Sequence, residues 1–140
     1  MDMKHRTAEL EGGLLDAAVA QAEGSLWRWW SGYGTHVVLM VDATTGNAWS
    51  GFDLKPYMPS TDWSHGGPII DREHIALQFY GSHWGAMPHD AAGCEVPDLD
   101  QRKHVEMSSG WGPVMADGNT ALVAAMRALV RLRLGDEVEL

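Results

Sequence analysis

Residues 59–73 hold the densest set of chemically capable side chains in the sequence. Ser60, Thr61 and Asp62 carry oxygens on short stems, which accept hydrogen bonds from nearby backbone amides and so cap helices or tie turns. The adjacent Gly66 and Gly67 can aim successive N–H groups at one point, forming a concave nest for an anion. Pro68 would fix the exit from such a turn, and Trp63 offers a flat wall. With Arg72, these residues (Ser60, Thr61, Asp62, Trp63, Gly66 and Gly67) form a candidate contact set for a small anionic, nucleotide-like ligand. The competing reading is a rigid loop whose polar side chains satisfy its own backbone. No glycine-rich loop leads into a Lys-Ser/Thr pair, and no GxGxxG joins a strand to a helix. The anion reading therefore rests on two glycines and their neighbours.

Other constellations are thinner. Seven histidines raise the question of a metal, with His65, His74, His83, His89 and His104 accompanying Asp71, Glu73, Asp90 and Cys94. A zinc site is usually announced by paired ligands at short spacing. Only His89 with Cys94 approaches that pattern, and neither HExxH nor CxxC occurs, so no metal or cofactor is expected. Gly81-Ser82-His83 lacks the flanking glycines of a nucleophile elbow. Cys94 would become a nucleophile only if His89 stood close enough to lower its pKa. Asp62, His65, Asp71 and Glu73 supply the carboxylates and imidazole that acid–base hydrolysis needs, which keeps a small hydrolase or metal-assisted enzyme as the alternative to a non-catalytic binding module. Arg127 and Arg131 are one helical turn apart and share a face; they either meet an anion or pair with carboxylates such as Asp136 and Glu137.

These residues must be positioned by ordinary elements. Leu15, Ala18, Val19 and Ala22 recur at helical spacing over 14–22, and Gly24 suits the C-terminal position after that helix. Residues 35–42 are β-branched and apolar, predicting a buried strand, and Thr44-Thr45-Gly46-Asn47 turns toward a partner at 48–52. Residues 54–67, punctuated by Pro56, Pro59, Gly66 and Gly67, read as loop, with Asp71-Arg72-Glu73 as a charged approach to a strand. Ile75, Leu77 and Phe79 alternate with Ala76, Gln78 and Tyr80, and a turn at Gly81-Ser82 leads into a short strand over 83–87. Residues 88–117 are polar and without period, apart from a possible short helix over 99–107. The last element is the clearest: Leu122, Val123, Met126, Leu129, Val130 and Leu134 form one helical stripe over 120–134. Asn119 or Thr120 can cap it, Arg131 and Arg133 suit its last turns, and Gly135 suits its end. The expected fold is α+β, a small antiparallel sheet from two hairpins with the N-terminal and C-terminal helices on one face.

Composition sets the boundaries. The 140 residues match one domain, with 45% hydrophobic and 21% charged residues, and no linker-like stretch divides them. The formal net charge of -9 repels phosphate backbones, which argues against nucleic acid as the partner. Cys94 is the only cysteine, so no intramolecular disulfide forms. The longest apolar run, residues 37–41, is too short to cross a bilayer, and the N-terminus lacks the apolar core of a signal peptide; cytoplasmic residence is the expectation. Seven tryptophans among sixteen glycines suit either indoles covering a modest core or an aromatic-walled pocket. A sheet this small leaves open edges, so a homodimer is one possible assembly.

Three blocks resemble the phage NinX-like family of small accessory proteins: residues 14–24 (LLDAAVAQAEG), 59–73 (PSTDWSHGGPIIDRE), and 122–127 (LVAAMR) continuing to 134–138 (LGDEV). The central block is the specific one; the 27–30 tryptophan cluster and residues 85–110 lie outside the shared blocks. The resemblance implies a phage or prophage origin and action in the host cytoplasm, and it brings no activity with it. The expectation is an accessory binding module acting on a host factor or a small anionic ligand.

Overall fold

In the computed structural model, residues 3–30, 37–41, 56–88 and 116–140 are described. The expected closing helix is present and central. We label it α3 (Ala121–Leu134); Thr120 Oγ1 accepts from the Val123 amide at 3.1 Å, and Gly135 follows at φ +93°. Its buried residues are Leu122, Ala124, Ala125, Met126, Ala128, Leu129 and Val130, more than one stripe. The extra faces are alanines, and small side chains let other backbones approach closely. Gly118 shows this: a Cβ there would lie 2.7 Å from the Ala124 amide nitrogen. Replacing Thr120 with alanine should lower stability by about 1 kcal/mol, because the Val123 amide loses its cap. Urea denaturation should show a lower midpoint at unchanged slope.

Around this helix, β1 (Lys4–Arg6) pairs antiparallel with β7 (Glu137–Glu139). A 3-10 turn at Thr7–Glu9 follows β1, with Thr7 Oγ1 donating to the Gly135 carbonyl at 2.7 Å. Next, α1 (Gly12–Ala22) buries every residue from Leu15 to Ala20. One side (Leu15, Ala18, Val19) joins the core built on α3; the other (Ala17, Ala20) packs with Val38. Gly24 takes the positive φ expected after the helix, +73°.

The strands β2 (Leu26–Trp30) and β3 (Val37–Val41) pair antiparallel, and α1 packs against both. The tryptophan cluster is thus a strand. The return strand expected at 48–52 and the short helix expected at 99–107 lie outside the described residues. The second expected hairpin is present as β4 (Ile75–Phe79) and β5 (Trp84–Pro88), extended by β6 (Ala116–Gly118). α3 packs against all three. The fold is therefore α+β with antiparallel pairing, but α1 and α3 serve different sheets and do not share one face.

The main correction falls at 63–73. In place of a loop and a strand approach, Trp63–Glu73 form a helix, α2, packed on α3 and β4. Gly66, Ile69 and Glu73 are its buried positions, spaced as one helical stripe. Pro68 is tolerated because the carbonyl it cannot serve, four residues back on Ser64, belongs to an exposed residue and is not buried without a partner. The buried Glu73 is neutralised by Arg133 of α3 and by Arg72. Among the described residues, no helix is long and apolar enough to cross a membrane.

Candidate functional site

The approach to α2 is tied down from two directions. The amides of Thr61 and Asp62 both donate to the Met58 carbonyl, at 3.1 and 2.8 Å, closing a turn. Ser60, 1% exposed, donates its amide to Asp16 Oδ1 of α1 at 2.8 Å and its hydroxyl to the Gly12 carbonyl at 3.4 Å. The Met58 amide donates to His65 Nδ1 at 3.0 Å, which fixes that nitrogen as an acceptor. The same imidazole stacks on Tyr57 at 5.6 Å between centroids. Burial pushes the Tyr57 phenol up to about 12. Asp16 is itself only 4% exposed, and burial pushes its carboxyl up to about 6 against the opposing pull of the Ser60 hydrogen bonds.

Asp62 occupies the N-cap of α2. Its Oδ1 accepts from the Ser64 amide at 2.9 Å and the Ser64 hydroxyl at 2.6 Å, and these bonds hold its carboxyl below the usual range. The expected nest does not form. Gly66 and Gly67 are helical, and the Gly66 amide is committed to the Asp62 carbonyl at 2.9 Å. Gly66 is instead a close-approach glycine, since a Cβ there would sit 2.4 Å from the Pro59 carbonyl oxygen and 2.6 Å from Leu122 Cδ2. Arg72 lies at the far end of the helix, bonded to Glu23 at 2.6 Å.

Of the seven candidate residues, Ser60, Thr61 and Trp63 come together. They line a cleft of about 250 Å³ whose other wall is Thr120–Val123, the first turn of α3. Trp63 is 56% exposed at this place. Two helix N-termini thus open on one cleft. At each such end unpaired amides and the helix dipole favour negative charge. At α2 the Asp62 carboxylate offsets part of that potential; at α3 the cap is the neutral Thr120. The α3 wall lies some sixty residues away in sequence and carries no local signal beyond its cap.

The alternative catalytic set is not assembled. Asp62 to Glu73 spans eleven residues of helix, about 16 Å of rise, and the acceptor nitrogen of His65 is already bonded to Met58. Asp71 is exposed, and Glu73 is paired with arginines. No group of three or more histidine, cysteine, aspartate or glutamate side chains among the described residues could hold a metal ion. His89, Asp90, Cys94 and His104 lie outside those residues. The expected pairing on the C-terminal helix is present for Arg131, which donates to Asp136 Oδ1 at 2.8 Å. Arg127 instead bonds the carbonyls of Leu10 and Asp117.

These features define an α+β protein built around a C-terminal helix. The chain belongs to the family described as "Bacteriophage P22, NinX", which matches residues 6–133. No curated protein matches the chain. Family membership supplies a phage setting and no assigned activity.

Proposed function

We propose that this protein is a non-catalytic phage accessory module that acts in the host cytoplasm by binding a small anionic, nucleotide-like ligand, with the cleft between the first turns of α2 and α3 as its site. The observation that carries the reading is the exposed Trp63 indole standing where two helix N-termini open on the same cleft. A base would stack on the indole, and a phosphate or carboxylate would sit toward the less compensated α3 terminus. Ser60 and Asp62 shape the site and hold its entrance turn; Thr61 and Ala121 border it.

The test is calorimetric titration of the purified chain with AMP, ATP and inorganic phosphate. Trp63→Ala removes the stacking surface. Ala121→Glu adds a carboxylate in the first turn of α3, where it favours the helix yet repels an anion. Each variant should weaken nucleotide binding about 10-fold or more, equivalent to about 1.4 kcal/mol. No heat with any nucleotide, or variants that match the parent, would sink this reading and leave a host protein as the partner to be sought by pull-down.

A further inference from the structure

A second cleft, of about 460 Å³, lies further along α3, between the 3-10 turn, β6 and the β1–β7 pair. Its volume falls within the roughly 300–1,000 Å³ range of small-molecule sites. Six charged side chains line it: Arg6, Arg127, Arg131, Asp117, Asp136 and Glu137. Arg131 and Asp136 neutralise one another at 2.8 Å. The other four form no ion pair among the described residues, although Arg6 and Glu137 are opposite partners in the β1–β7 ladder. By contrast, Arg72 and Arg133 both have carboxylate partners.

Arg127 is the fixed point of this cleft. Its Nε donates to the Leu10 carbonyl at 2.7 Å and one Nη to the Asp117 carbonyl at 3.0 Å. A guanidinium has five N–H donors, so about three remain on a group already held still by two bonds. A guanidinium ordered in advance loses little freedom on meeting a carboxylate, and such pairs are often bidentate. A plain anion would meet the Asp117 and Glu137 carboxylates as well as the arginines. A ligand carrying both signs would satisfy all four groups.

We infer that this cleft binds a small zwitterion of amino-acid or dipeptide size, with its carboxylate on Arg127 and Arg6 and its ammonium toward Asp117 and Glu137. The site is separate from the α2–α3 cleft, so either reading can fail while the other stands.

The experiment is titration of the full chain with alanyl-alanine, its N-acetyl derivative, its amide and inorganic phosphate, followed by calorimetry and thermal melting. The free dipeptide should bind and raise Tm. Each charge-capped form should bind about 10-fold more weakly, equivalent to about 1.4 kcal/mol, as expected for losing one charge-assisted contact. Arg6→Gln and Asp117→Asn change side chains that the backbone bonds of Arg127 do not need, so both variants should fold and bind the dipeptide less tightly. The inference is overturned if the dipeptide does not bind, if the capped forms bind equally well, or if phosphate binds better and Asp117→Asn tightens it. The last result would mark the cleft as a simple anion site.

Discussion

Gly66→Ala should destabilise the protein by about 2–3 kcal/mol, while Gly67→Ala, one residue along the same helix, should stabilise it by about 0.5–1 kcal/mol. Both glycines sit inside α2, where alanine is the better helix former by about 1 kcal/mol. What separates them is space. A Cβ on Gly66 would stand 2.4 Å from the Pro59 carbonyl oxygen, a backbone atom inside the turn closed on the Met58 carbonyl, and 2.6 Å from Leu122 Cδ2. Relieving that overlap means moving α2 away from α3, and overpacking of this kind costs about 1–3 kcal/mol or more. A Cβ on Gly67 would meet only Trp63 Cε3, at an ordinary 3.9 Å. Urea denaturation of the two variants gives the comparison directly. Equal effects at the two positions would mean that 63–73 is not the packed helix described above.

The second large effect is a dependence on pH. The folded Asp16 carboxyl keeps its proton to about pH 6, against 3.8 for the ordinary group, because burial disfavours its charge. Between those values the folded state binds more protons than the unfolded one, so stability falls as pH rises. The contribution of Asp16 is therefore fully present below about pH 4 and lost above about pH 6, a change of about 3 kcal/mol. Asp16→Asn keeps an oxygen for the Ser60 amide and removes the titration. The difference in stability between the two proteins should swing by about that amount from pH 4 to pH 7, with the asparagine variant gaining ground at the higher pH. Parallel profiles would show that the Asp16 charge is solvated after all.

How much of this was legible in the sequence depended on how local the cause was. The two terminal helices and the 75–88 hairpin announce themselves through periodicity, caps and a Gly-Ser turn, all within a few residues. α2 was hidden because Pro59, Gly66, Gly67 and Pro68 are all breakers by propensity. Their placement follows from contacts made elsewhere: Gly66 is needed by Pro59 and Leu122, and Pro68 is on the wet side. A stripe at 66, 69, 70 and 73 was present to be found, but it contains a glutamate whose neutralising Arg133 comes from α3. The three-residue strands β1, β6 and β7 are too short for an alternation to stand out, even where one exists, as in Glu137-Val138-Glu139. The site was half legible: Ser60, Thr61 and Trp63 are in the cleft, while its α3 wall depends on tertiary packing. Asp16 is a further local signal, standing in the middle of an otherwise apolar helical segment, where a carboxylate must be buried or break the face.

The pairing of β1 with β7 also says something about the order in which the molecule assembles. Arg6 is opposite Glu137, whereas Phe79 is opposite Trp84. Closing the first loop from an unstructured chain would cost about 3 kcal/mol more entropy than closing the second, for only three residue pairs of ladder. The strand pair gains an advantage only after α1 and α3 have docked and brought its two ends near each other. On the ribosome, β1 must therefore wait for residues 137–139 to emerge, and the arginine-lined cleft beside it takes shape only once the two strands have met.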